Sequence, residues 1–157
     1  MITGNVTFKD VFIAHGGYRN FSGTIKDTNK SGARKFTIFL PPEVGEMLQE
    51  EGWNAKYKES TRPEYDGQWQ MDVFVSYKCY PPVIKLKSYD GQETLLTEDS
   101  VGILDSTDIE TADLEIRPYN WDVNGKTGTK AMVQELTVTA RKPRRVLDAS
   151  MRQKNDD

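Results

Sequence analysis

The run Ile116-Arg117-Pro118-Tyr119-Asn120-Trp121 brings together residue types that can hold a planar, charged polymer. In an extended chain alternate side chains share a face, so Arg117, Tyr119 and Trp121 stand opposite Leu114 and Ile116. If the aliphatics fill a core, a cation and two aromatic rings face water. Exposed rings of this size are costly without a partner. A single-stranded nucleic acid is a suitable one, because its bases stack on rings while its phosphates pair with Arg and Lys, at roughly 1–3 kcal/mol per stacked base. A bulge at Pro118 would reverse the parity and turn Tyr119 or Trp121 into core filling, which is the competing reading.

The same mixture recurs in Tyr18-Arg19-Asn20-Phe21, in the segment from Trp53 to Lys58, and on the solvent side of residues 70–80, which offers Phe74, Lys78 and Tyr80. Base stacking is therefore expected from Phe21, Trp53, Tyr57, Tyr119 and Trp121. Phosphate contact is expected from Arg19, Lys35, Lys58, Lys78, Lys85, Arg117 and Lys126. Lys130 either joins them or simply decorates its strand.

Other chemistries find little support. His15 has no nearby thiol or second imidazole to complete a zinc site, and the single cysteine, Cys79, cannot form an internal disulfide and reads as a small buried hydrophobe. Asp66, Asp72, Asp90, Asp105 and Asp108 lack the spacing of a nuclease metal centre. Asn124-Gly125-Lys126-Thr127-Gly128 lacks the spaced glycines and Gly-Lys-Ser/Thr ending of a phosphate-binding loop. The expectation is a binding protein, not an enzyme, with no catalytic residue, metal or cofactor.

The formal charge of −3 argues at first against a polyanionic partner, but the charge is unevenly spread. Residues 1–58 carry 8 basic and 6 acidic side chains, 59–113 carry 4 and 12, and 114–157 carry 9 and 6. Acid concentrated in the middle of the chain leaves room for a basic face. No apolar run reaches the roughly 20 residues of a membrane helix. The start lacks a secretory pattern, so a cytoplasmic location is expected.

The elements that must position these residues follow from periodicity and turn signals. Residues 4–13, 20–25 and 34–40 read as strands, the last two flanking a polar, glycine-containing loop. Pro41-Pro42 opens a helix with Val44, Met47 and Leu48 on one face and Glu43, Glu46 and Glu50 on the other, stopped by Gly52. Residues 69–78 alternate, with Met71, Val73, Val75 and Tyr77 opposite Asp72, Phe74, Ser76 and Lys78. Val83 to Tyr89 is a further strand, and 97–110 a loop with one helical turn. Residues 112–121 and 129–140 form a hairpin across Asn124-Gly125-Lys126-Thr127-Gly128. The fold class expected is mainly β, a barrel or sandwich with one short helix, in a single domain over residues 1–140 followed by a flexible, partly basic tail over 141–157.

The ordered series Tyr18-Arg19-Asn20-Phe21-Ser22-Gly23, Arg34-Lys35-Phe36-Thr37-Ile38-Phe39-Leu40, Gly52-Trp53-Asn54-Ala55-Lys56-Tyr57, Pro81-Pro82-Val83-Ile84-Lys85-Leu86, Val101-Gly102-Ile103-Leu104-Asp105 and the 116–128 hairpin resembles bacteriophage single-stranded DNA-binding proteins of the OB-fold type. The resemblance spans roughly residues 4–140. It implies a partly open Greek-key barrel with additional strands or hairpins, covering single strands with low sequence specificity during replication, recombination or repair in the cytoplasm of a bacterial host. Replication or recombination proteins and further copies of the chain are the partners it admits besides DNA. RNA stays open because stacking ignores the sugar. The alternative is a phage structural or protein-interaction β-domain. Two features depart from the pattern: the helix falls early, after the 34–40 strand, and the tail is basic where many single-strand binders end in acid.

Overall fold

The computed structural model describes residues 2–25, 29–61, 67–78, 80–143, 145, 147 and 149–150. Over these the chain forms β1 (Val6–Ile13), β2 (Arg19–Asn20), β3 (Arg34–Leu40), α1 (Pro42–Glu51), β4 (Ala55–Lys58), β5 (Gln68–Val75), β6 (Val83–Lys87), β7 (Glu93–Leu96), β8 (Ile109–Val123) and β9 (Lys126–Ala140). Single 3-10 turns occupy Gly16–Tyr18 and Val101–Asp105. The second of these is the helical turn that the apolar residues of 97–110 suggest. The expectation for Cys79 falls outside the described residues, as does most of that for the tail.

Five strands close a ring. β1 pairs antiparallel with β3, β3 with β5, β8 with β9 and β1 with β8. The ring is completed by a short parallel pairing of β5 with β9, at Val73 with Ala131 and Phe74 with Met132. Taken in chain order the ring runs first, second, third, fifth, fourth, the Greek-key order of an OB barrel. The early helix does not alter this order. It occupies the link between β3 and β5, while the β6–β7 hairpin and the 101–105 turn occupy the link between β5 and β8. β6 extends the sheet by pairing in parallel with Glu135 to Thr139 of β9, and β4 extends it on the far side of β5.

Alternation decides what lines the barrel. Phe36 and Ile38 of β3, Met71, Val73 and Val75 of β5, Leu114 and Ile116 of β8, and Ala131 and Val133 of β9 are all buried. The bulge that would have reversed parity at Pro118 lies instead on the partner strand. Glu115 pairs with Glu135 and Ile116 with Val133, leaving Gln134 as the extra residue, so β8 runs on unbroken through Trp121. The hairpin turns through Asn124 (φ 52) and Gly125 (φ 81), both left-handed, as a two-residue type I′ turn requires.

Helix α1 begins with Pro42 in its first turn, where a missing N–H costs nothing, and ends at Gly52 with φ 104. The Trp53 N–H returns to the Leu48 carbonyl at 3.0 Å, closing a Schellman motif. On its inner face Gly45 meets the Trp69 indole so closely that a Cβ there would lie 2.5 Å from the ring.

The link from β1 to β3 is fastened at its base. Buried Arg19 donates to the carbonyls of Ala14 (2.8 Å), Leu104 (3.2 Å) and Thr107 (2.7 Å). The Asp105 carboxylate accepts from the backbone N–H groups of Phe21 (2.6 Å) and Ser22 (3.1 Å). Burial pulls the Arg19 pKa down, opposed by Asp105 and Asp108.

Candidate nucleic-acid interface

The outward-facing residues of the ring strands form adjacent rows. Register places Lys35 of β3 beside Phe74 of β5, Phe74 beside Met132 of β9, and Met132 beside Arg117 of β8. The next row pairs Tyr119 with Lys130, and the one beyond pairs Trp121 with Gly128. Pleating thus gathers on one surface residues from four strands that are far apart in sequence.

Phe74 stands at the centre. The Lys130 ammonium lies 4.8 Å and the Lys35 ammonium 5.9 Å from its ring centroid, so an aromatic surface is flanked by two cations. The Arg117 guanidinium lies 5.1 Å from the Tyr80 ring centroid. Tyr119 is 52% exposed. Phe74, Lys78, Tyr119, Lys130 and Met132 share a groove of about 790 Å³, whose lining also includes Arg34, Tyr77 and Glu98. Burial holds the Tyr77 hydroxyl above its usual pKa, Arg34 opposing and Glu98 reinforcing the shift, so it is a donor at neutral pH.

A second aromatic–cation pair lies toward β4, where Lys58 sits 5.8 Å from the exposed Tyr18 ring. Lys56 and Lys58 pair with Gln70 and Gln68 and so share the outward side of β5 with Phe74.

Several residues expected at the interface stand elsewhere. Phe21 is fully buried and stacked on Phe36 with centroids 4.8 Å apart, so it has no face for a base. Trp53 is 3% exposed, folded back by the Schellman turn into the core. Arg19 is 3% exposed and committed to three carbonyls, which withdraws it from phosphate contact. Tyr57 is exposed but on the reverse side of its strand, beside Trp69 (5.7 Å), with its hydroxyl accepting from the Gly67 N–H. Lys85 lies on the β6–β7 hairpin, 4.0 Å from Glu93 and outside the groove lining. Lys126 is exposed at the hairpin tip. Trp121 is on the expected face but half-buried, its ring lying across Gly128, where a Cβ would come within 2.5 Å.

Arg117, Tyr119, Lys35 and Lys78 are brought together, and Lys58 lies on the same outward side. Phe74 as the central ring and Tyr18 as the second platform were legible only as members of mixed segments. Arg34 and Glu98 were not expected at the site, since nothing local in the sequence joins them, and Tyr77, read with Met71, Val73 and Val75 on the inward side of 69–78, lies past the end of β5 and lines the groove.

An OB barrel with aromatic rings and cations alternating over its outer face defines a nucleic-acid-binding barrel. A model of the putative phage ssDNA-binding domain family matches residues 4–145, and the chain belongs to that family. No curated protein sequence matches it. Among solved structures, the single-stranded DNA-binding protein from bacteriophage Enc34 is similar with a TM-score of 0.52 at 12% identity, covering 98% of this chain and 89% of that one. The Enc34 protein in complex with ssDNA is similar with a TM-score of 0.51 at 11% identity, covering 89% of this chain and 88% of the other. At such identities the likeness concerns the fold.

Proposed function

We propose that this chain covers single-stranded DNA by laying bases against Phe74 and Tyr119, with Trp121, Tyr80 and Tyr18 extending the stacking surface at either side. Lys35, Lys58, Lys78, Arg117, Lys126 and Lys130 neutralise the phosphates. The observation that carries this reading is Phe74 held between two ammonium groups on an outward row of four barrel strands. Stacking on rings and pairing with the backbone do not depend on base identity, so sequence specificity is low. The reading assigns no reacting group and places the protein in phage DNA replication, recombination or repair in the host cytoplasm.

A fluorescence titration with single-stranded and duplex DNA and RNA of equal length tests it. Trp121 is the tryptophan on the binding face and should be quenched by single-stranded DNA much more strongly than by duplex. Absence of binding to oligo-dT at low salt would favour a structural or protein-interaction domain instead.

A further inference from the structure

A second groove lies outside the base-stacking surface, between β1 and α1. β1 pairs with β3 at Phe12 and Ile13 only. Beyond that pairing Pro41 turns the chain into α1, and residues 6–11 face the helix across a cleft of about 540 Å³. Its lining is mainly apolar and includes Val6, Phe8, Phe12, Phe39, Val44 and Met47. Phe12 is 44% and Met47 49% exposed, so a ring and a thioether stand in water with nothing over them. A contiguous apolar surface of this kind marks an interaction site.

The charge around the cleft selects the partner. α1 carries Glu43, Glu46, Glu50 and Glu51, all exposed, and no cation, and none of the four is ion-paired among the described residues. On the β1 wall Lys9 and Asp10 cancel. A phosphate chain is repelled by such a helix, whereas a cationic peptide bearing aliphatic side chains suits both the carboxylates and the apolar lining. The chain itself contains one. Arg141-Lys142-Pro143-Arg144-Arg145-Val146-Leu147 sets four cations before two aliphatics, in the basic tail that departs from the acidic ending of many single-strand binders. Leu147 is 75% exposed, so it does not fill the cleft of its own chain. We propose that residues 142–147 of a second copy dock in the β1–α1 cleft, Val146 and Leu147 against Phe12 and Met47, and Arg144 and Arg145 against the carboxylates of α1. Cleft and segment are different surfaces, so the contact is heterologous and repeats head to tail. Copies joined this way line up along one strand and cover it cooperatively. That consequence rests on the single-strand-binding reading; the contact itself does not.

Sedimentation velocity of the full chain over a concentration series, without DNA, tests the contact. The parent should form larger oligomers as concentration rises through the micromolar range, and added salt should dissociate them. Leu147→Asp, at an exposed position outside the core, should weaken association about tenfold or more, and so should the pair Glu43→Lys and Glu50→Lys or the pair Arg144→Glu and Arg145→Glu. Both pairs combined in one chain should restore it, because the charges are complementary again. A parent that stays monomeric throughout, association unaltered by the substitutions, or no recovery in the combined variant overturns the inference. With DNA present, the parent should bind a long oligo-dT with a steep isotherm and Leu147→Asp with a shallow one. Both should bind equally an oligo-dT of about a dozen nucleotides, a length within the range one OB fold covers. Failure of either oligomer to bind the parent overturns the single-strand-binding reading alone, since the sedimentation result is obtained without DNA.

Discussion

Phe74 on β5 and Phe21 just past β2 are the same residue type, yet substitution should separate their roles. Phe74→Ala removes the ring between Lys35 and Lys130 and is expected to weaken oligonucleotide binding by roughly 1–3 kcal/mol, about five- to 150-fold, with the far-ultraviolet circular dichroism unchanged. Phe21→Ala empties a fully buried site stacked on Phe36 and should cost about 3–5 kcal/mol of stability, seen as a fall of about 10 °C in thermal midpoint. The sequence distinguished the two poorly because what buries Phe21 is remote. Its partner Phe36 lies on the next ring strand, and the Asp105 carboxylate holds its backbone N–H from 84 residues away. Arg19 is buried for the same reason, by carbonyls at 104 and 107. Trp53 is different, since an apolar residue just past a helix-ending glycine commonly packs back on the helix, and Gly52-Trp53 carried that signal locally.

Local pattern served the elements far better than the individual aromatics. Period-two alternation over 69–75 and 112–121 assigned the inward and outward faces of β5 and β8 correctly, and the segment Asn124 to Gly128 marked the hairpin, because each rests on neighbours in sequence; the strand expected to reach residue 78 ends at Val75, and the one expected over 20–25 is confined to Arg19–Asn20. Pairing partners, the ring order and the Gln134 bulge depend on contacts between distant segments and had no local sign. The helix illustrates how tightly one element can be fitted. Gly45 lies against the Trp69 indole, so Gly45→Ala should either push α1 off β5 or displace the indole. Despite alanine's higher helix propensity, the expected result is a net loss of about 1–3 kcal/mol in chemical denaturation, with a shift in tryptophan emission. A variant as stable as the parent would mean that the helix can slide without cost.

Over the whole molecule, a negative total coexists with a row of outward cations that includes Lys35, Lys58, Lys78, Arg117 and Lys130, although Asp72 lies 4.0 Å from Lys35 and Glu98 lines the groove. Binding should therefore weaken with salt despite the formal charge of −3, with a log–log slope near −0.7 for each phosphate neutralised. Contacts with about four phosphates would give a slope near −3, and a flat titration would exclude the electrostatic share. The ring closure has a consequence of a different kind. β5 and β9 meet over two residue pairs only, and one of them is Phe74 with Met132. The stacking platform thus exists only while this short seam stays shut, and a bound strand reaching from Lys35 to Arg117 would bridge it as a suture. Occupancy and closure are then thermodynamically linked: DNA should slow amide hydrogen exchange at the seam residues 73–74 and 131–132 more than in the rest of the long β8–β9 ladder, which is secure without it.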